Sequence, residues 1–143
     1  MSCVYCDLPE IQAREIARND LARVLPTNIP ITPGHLLVMP LRCVTTFSEL
    51  TGEERAAIFD LTARARDALI KEYGAEGFNY AWNEGGDFGQ TVPHFHIHIV
   101  PRTTGDTGIT KYEPREFLYR PGSREKTPED ELQAVAKAMR VYF

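Results

Sequence analysis

Three histidines stand at alternate positions in His94-Phe95-His96-Ile97-His98-Ile99-Val100. Neighbouring side chains on a strand point to opposite faces, so this spacing predicts a strand over 94–100. His94, His96 and His98 then share one face, and Phe95, Ile97 and Ile99 are buried on the other. The intervening residues favour strand intrinsically. Two chemistries suit such a row. One is a catalytic zinc held by all three imidazoles, with water in the fourth position. At about 3.3 Å per residue the row spreads over roughly 13 Å, which counts against a single ion reached from both ends. The other is nucleophilic catalysis, with the central His96 attacking phosphorus and a neighbour managing protons. An imidazole with a reference pKa of about 6.5 is neutral and competent near neutral pH.

The residues before the row extend this chemistry. Asn83-Glu84-Gly85-Gly86-Asp87-Phe88-Gly89-Gln90-Thr91 is a glycine-rich loop feeding the histidines. Glycines let backbone N–H groups approach a ligand closely, and successive N–H groups can cradle an anion. In the nucleophilic reading, Gln90 and Thr91 bind phosphate oxygens and assist the leaving group.

Elements must hold these groups in place. A turn or short helix is predicted over 9–14, and two strands over 15–20 and 21–25 around an Asn19-Asp20 turn. Residues 35–39 form a short apolar strand stopped by Pro40. The longest helix begins at a capping box, Thr51-Gly52-Glu53-Glu54, and carries one apolar stripe of Ile58, Leu61, Ala65, Ala68 and Leu69. Gly74 is placed to stop it. Residues 78–82 read as a strand. The stretch 103–126 is rich in Gly, Pro and charge, and its Arg115, Arg120 and Arg124 could meet phosphates in a partner subunit's pocket. A last helix is predicted with Thr127 as N-cap, Pro128 at its first position, and Leu132, Val135, Ala136 and Met139 buried.

Composition sets the bounds. A chain of 143 residues with a hydrophobic fraction of 43% suits one domain spanning 1–143. The formal net charge of −4 argues against bulk nucleic-acid binding, which needs Lys and Arg to neutralise phosphates. No apolar run approaches the roughly 20 residues that cross a bilayer. No basic region followed by an apolar core opens the chain, so the expected location is cytoplasmic. Three cysteines cannot all pair as disulfides, and in a reducing compartment they favour metal binding or free thiols. Cys3 and Cys6 form a C-x-x-C with too little chain before it for a thioredoxin-like βαβ unit.

The run 94–100 resembles the His-φ-His-φ-His-φ-φ signature of the histidine triad (HIT) superfamily. Pro33-Gly34-His35 with Leu37-Val38-Met39-Pro40 is similar to that family's P-G-H-x-L-V-x-P segment, and Asn83-Glu84-Gly85 and Gly89-Gln90-Thr91-Val92 to its N-x-G and G-Q-[ST]-V elements. The likeness covers about residues 1–105. It implies an α+β fold: an antiparallel five-stranded sheet with one long helix and a C-terminal helix, dimerising into a continuous sheet. It implies cleavage of nucleoside monophosphate linkages through a nucleotidyl-histidine on His96. His98 positions and neutralises the phosphate, and Thr91 donates toward the leaving group. His35, Asn83, Gly89 and Gln90 line the substrate pocket. One departure is Thr27 where members often carry Asp or Asn for the ribose hydroxyls, which shifts part of that contact to Asn28.

Some branches of the family hold a structural zinc. By that resemblance its ligands here are Cys3, Cys6, Cys43 and His94, with Cys43 standing where those branches usually have His. The set uses every cysteine and makes a closed Cys₃His site. The expected function is hydrolysis of an AMP-containing phosphoanhydride or phosphoramidate. Thr91, Val100-Pro101-Arg102 and Gly105-Asp106 resemble the dinucleoside polyphosphate branch, whereas Asn83-Glu84-Gly85 and Asp87 resemble the phosphoramidate branch. The alternative from another class is a zinc-stabilised nucleotide-binding module without turnover. Affinity for AMP without product formation would mark it.

Overall fold

Antiparallel pairing of five strands organises the chain. The computed structural model describes residues 3–106 and 126–143; Arg115, Arg120 and Arg124 lie outside them. Strands β1 (Ala17–Arg18), β2 (Ala22–Pro26), β3 (Leu36–Pro40), β4 (Gly77–Ala81) and β5 (Ile97–Arg102) are ordered β1-β2-β3-β5-β4 in one sheet. With helices packed on it, this is the α+β architecture that the sequence predicts. The last strand enters between β3 and β4, and its register sets His98 beside Leu37 on one side and Ala81 on the other.

The two faces of the sheet are covered differently. Helix α3 (Gly52–Tyr73) lies across one of them. Its first turn is closed in both directions: the Glu54 N–H donates to the Thr51 hydroxyl at 3.0 Å, and the Thr51 N–H donates to the Glu54 carboxylate at 2.9 Å. It ends at Gly74, which adopts φ 64°. The stripe Ile58, Leu61, Ala65, Ala68 and Leu69 packs on Val24, Leu36, Val38, Ile97 and Ile99. Helix α4 (Glu129–Arg140) adds Ala136 and Met139 to that core. The opposite face carries α1 (Val4–Asp7) and α2 (Pro9–Ala13), which close a smaller cluster of Tyr5, Ile11, Leu25, Leu37 and Met39. Because cross-strand partners share a face, His98 lies on this second side with Leu37.

Four local expectations change. The histidine strand begins at Ile97 rather than His94. Residues 94–96 keep the alternation, with Phe95 buried in the α3 core, but they leave the ladder before β3 ends at Pro40. The Phe95 N–H donates instead to the Val44 carbonyl at 2.6 Å. Strand β1 is confined to two residues, since the Asn19 side chain accepts from the Leu21 and Ala22 N–H groups at 3.1 and 2.9 Å and turns the chain early. Helix α1 is an element the pattern does not announce. Helix α4 starts one residue late: Pro128 is the extended N-cap, and the Thr127 N–H donates at 2.8 Å to the Asn28 carbonyl rather than entering the helix.

Candidate active site and metal centre

His96 is 6% exposed. Its Nδ1 lies 2.7 Å from the His94 carbonyl oxygen. A carbonyl only accepts, so Nδ1 carries the hydrogen and the lone pair of the neutral ring sits on Nε2. Burial holds the His96 pKa below its ordinary value, which the hydrogen bond to His94 only partly offsets. The ring is therefore neutral and nucleophilic at physiological pH.

His98 neighbours it, with ring centroids 4.9 Å apart. A directional chain fixes its tautomer. The Ile31 N–H donates to His35 Nδ1 at 3.0 Å. With Nδ1 accepting, a neutral His35 bears its hydrogen on Nε2, which lies 3.0 Å from His98 Nδ1. His98 Nδ1 accepts, leaving its Nε2 as the donor nitrogen. His35 is held for this task by a tight turn. Gly34 has φ +88°, and a Cβ there would stand 2.9 Å from the Tyr73 ring. Thr27 is tied in as well, its N–H donating to the His35 carbonyl at 3.2 Å.

The glycine-rich loop is braced from within. The Gln90 side chain is buried; it accepts from the Gly85 N–H at 3.0 Å and donates to the Thr45 carbonyl at 2.8 Å. The Asn83 amide donates to the Gly89 carbonyl at 3.3 Å, and Gly89 turns the loop at φ 103°. These bonds run within the loop and to Thr45 rather than to the histidines. Thr91 stands exposed at the loop's end. The structure thus gathers His35, His96, His98 and Thr27 directly, and brings Asn83, Gly89, Gln90 and Thr91 in as the segment leading to His94.

His94, on the same face, is turned into a cluster of sulfurs. One ligand atom from each of Cys3, Cys6, Cys43 and His94 lies within 4.8 Å of the others. The His94 Nε2–H donates to the Pro40 carbonyl at 2.8 Å, leaving Nδ1 as the lone pair, 3.3 and 3.6 Å from the Cys3 and Cys6 sulfurs. Zn–S bonds of about 2.3 Å put tetrahedral ligand atoms roughly 3.8 Å apart, so the cluster is close to the size a zinc ion needs. The donor chemistry also fits. Burial opposes ionisation of all three thiols, yet hydrogen bonds from Cys43 and Cys6 hold the Cys3 pKa below its usual value. Burial and the neighbouring sulfurs push Cys6 up to about 12 and raise Cys43. Three thiols so close cannot all ionise without a cation among them. The Cys43 loop is pinned on both sides: Arg42 forms a 2.7 Å ion pair with Glu54, and the Val44 carbonyl accepts the Phe95 N–H.

Tyr5 was not foreseen as part of this site. It sits inside the C-x-x-C, and its buried ring meets His94 and His96 edge-on at 5.7 and 5.3 Å. Burial pushes its hydroxyl up to about 12, so it serves as a neutral wall between the two histidines. Its place between Cys3 and Cys6 was the available signal.

Comparison with known proteins follows this geometry. The HIT domain family model matches residues 9–105. The chain belongs to the HIT domain family. It is 40% identical over 77 residues to a bis(5'-nucleosyl)-tetraphosphatase [asymmetrical] of Schizosaccharomyces pombe, covering 54% of this chain and 42% of that protein. It is 31% identical over 116 residues to a bis(5'-adenosyl)-triphosphatase of Dictyostelium discoideum, covering 80% of this chain and 74% of that one. The chain thus spans less than half the length of the first of these relatives. Among solved structures, a Zn-bound histidine triad family protein from Mycobacterium smegmatis superposes with a TM-score of 0.74 at 27% identity, over 99% of this chain and 93% of that one. Among the described residues, no helix is long and apolar enough to cross a membrane.

Proposed function

We propose that this HIT protein hydrolyses AMP-containing phosphoanhydrides of the dinucleoside polyphosphate class through a nucleotidyl-His96 intermediate. The observation that carries the reading is the pair of opposed tautomers: His96 holds its hydrogen on Nδ1, and the adjacent His98 is held as an Nε2 donor. His96 Nε2 attacks the phosphorus; a P–N bond forms as the P–O bond to the leaving nucleotide breaks. His98 donates to the phosphoryl oxygens, and Thr91 donates toward the departing oxygen, lowering the cost of the charge that develops there. Water then attacks phosphorus, the P–N bond breaks, and AMP leaves with His96 regenerated. Thr27, Asn28, His35, Asn83 and Gly89 form the substrate-binding wall, and Gln90 keeps the loop in shape. The names of the tetraphosphatase and triphosphatase relatives support the polyphosphate class.

Cys3, Cys6, Cys43 and His94 would hold a zinc ion with no position left open, so the ion supplies structural cross-linking rather than an activated water. That cross-link fastens α1 beside the catalytic histidines and orients the His94 carbonyl that His96 uses. A homodimer is part of the same reading. Strand β4 ends the sheet and carries exposed Tyr80, with Trp82 and Phe88 exposed just beyond. An open edge of this kind is suited to pairing with a second copy.

The test is AMP release by wild type and His96→Ala from diadenosine tetraphosphate and from an adenosine phosphoramidate. The expected result is turnover of the polyphosphate and a loss of at least about 10³-fold in the variant. Faster phosphoramidate cleavage would move the substrate class. AMP affinity without product from wild type would replace the enzyme by a binding module.

A further inference from the structure

Beneath the sulfur cluster lies an arginine whose burial is hard to account for by its visible partners. The Arg23 side chain is 9% exposed. It projects from β2 on the face that carries Leu25, opposite Met39 of β3. The next residue on β3, Pro40, accepts the His94 Nε2–H. Arg23 Nη1 lies 3.5 Å from the Tyr5 carbonyl, in the middle of the Cys3–Cys6 turn. Its Nε has no hydrogen-bond acceptor. Its anionic neighbour is Glu15, 3.4 Å away, but Arg18 already grips Glu15 with both edges at 2.9–3.2 Å. The adjacent Arg14 is also buried and pairs with Glu129 at 3.4 Å. Among the described residues, the guanidiniums of Arg14, Arg18, Arg23 and Arg140 gather around the carboxylates of Glu15 and Glu129, so positive charge is left over. A buried guanidinium with incomplete pairing is costly unless an anion stands nearby.

The metal centre is that anion. A divalent ion with three thiolates and one neutral imidazole carries a net charge of −1. We propose that Arg23 is the countercharge of the Cys3–Cys6–Cys43–His94 centre, raising its affinity for zinc. This inference rests on the reading of those four residues as a metal site. In a low-dielectric surrounding such a charge acts strongly on metal affinity.

Zinc affinity of the full chain, by competition with a chromophoric chelator, tests this in wild type, Arg23→Met and Arg23→Lys. Arg23→Met should weaken zinc binding about 10- to 100-fold, with most of the affinity kept in Arg23→Lys. Arg23→Gln, which retains a donor for the Tyr5 carbonyl, carries the neutral arm if the Met variant is insoluble. A purely structural role would destabilise the metal-free and loaded folds alike and leave the affinity unmoved. Wild-type affinity in the neutral variants overturns the proposal, and so does a Lys variant as weak as the Met variant. A wild-type chain that binds no stoichiometric zinc removes the metal reading itself, a result distinct from either.

Discussion

The two faces of the sheet are stabilised by different means. Under α3, seventeen buried residues form one continuous apolar core, and a 22-residue helix is long enough to be held by its stripe alone. On the other face five buried residues join the sheet to helices of four and five residues. Segments that short are marginal by themselves. They are secured by directional contacts: Arg140 donates to the Ala13 and Glu15 carbonyls at 3.0 Å each, Arg14 reaches Glu129, and Cys3 and Cys6, two members of the sulfur cluster, stand at the N-cap of α1 and within it. The comparison teaches that the apolar face supplies stability and the polar face supplies geometry. All the proposed chemistry lies on the second.

The largest expected effect breaks the polar side. Cys43→Ala should leave no stoichiometric zinc, read by metal analysis of the purified protein, and should lower the melting temperature. Full zinc retention would sink the four-ligand centre. The mirror experiment strikes the apolar side. Leu61→Ala removes a fully buried side chain from α3 and should cost about 2–5 kcal/mol in urea unfolding, with zinc stoichiometry unchanged. Loss of zinc in that variant would mean that the faces are not separable.

A smaller effect sharpens the division within the polar side. His35→Gln removes the ring that sets the His98 tautomer while leaving the sulfur cluster alone. It should lower kcat about 10- to 100-fold with zinc content unchanged, and nitrogen-15 shifts of His98 should show the hydrogen redistributed between its ring nitrogens. Unchanged kcat and shifts would strip His35 of its positioning role. The smallest effect concerns pH. Arg42 and the backbone bonds of the Thr51 cap hold the Glu54 carboxyl below the 4.5 of a free glutamate, against its burial. The unfolded chain then binds the proton more readily, so this contribution is complete above 4.5 and is lost as pH falls through the folded value. Acid titration of stability should show a steeper fall below pH 4.5 in wild type than in Glu54→Gln; parallel curves would refute it.

What was legible in the sequence follows the same division. Helix α3 could be read from Thr51 to Gly74 because cap, stripe and stop are all local signals. The alternation of Phe95, Ile97 and Ile99 with the histidines marked the correct buried face. The start of β5 was not readable, since it depends on the Val44 carbonyl, far back in the chain, which takes the Phe95 N–H away from the ladder. Thr127 appeared to cap α4 because its hydroxyl suits that role, and only the contact with Asn28 diverts it. Tyr5 and Arg23 join the site through the fold alone: one is a spacer in a cysteine pair, the other an arginine in an otherwise apolar strand. The place of Tyr5 inside the C-x-x-C is a faint signal, and nothing in the sequence singles out Arg23.

The position of β5 has a consequence for how the chain is made. Among the described residues the strand synthesised last, Ile97–Arg102, occupies the place between β3 and β4. A nascent chain that has not yet released residue 102 holds the two flanking strands with nothing between them. Their edges stay open to wrong partners during that interval, and long-range pairing of this kind is intrinsically slow. The coordination set repeats this order, because its fourth ligand, His94, emerges just ahead of that strand. An ion gripped by all four residues can therefore seal a nearly complete fold but cannot seed one. Among the described strands, the one that completes the sheet is therefore the one made last.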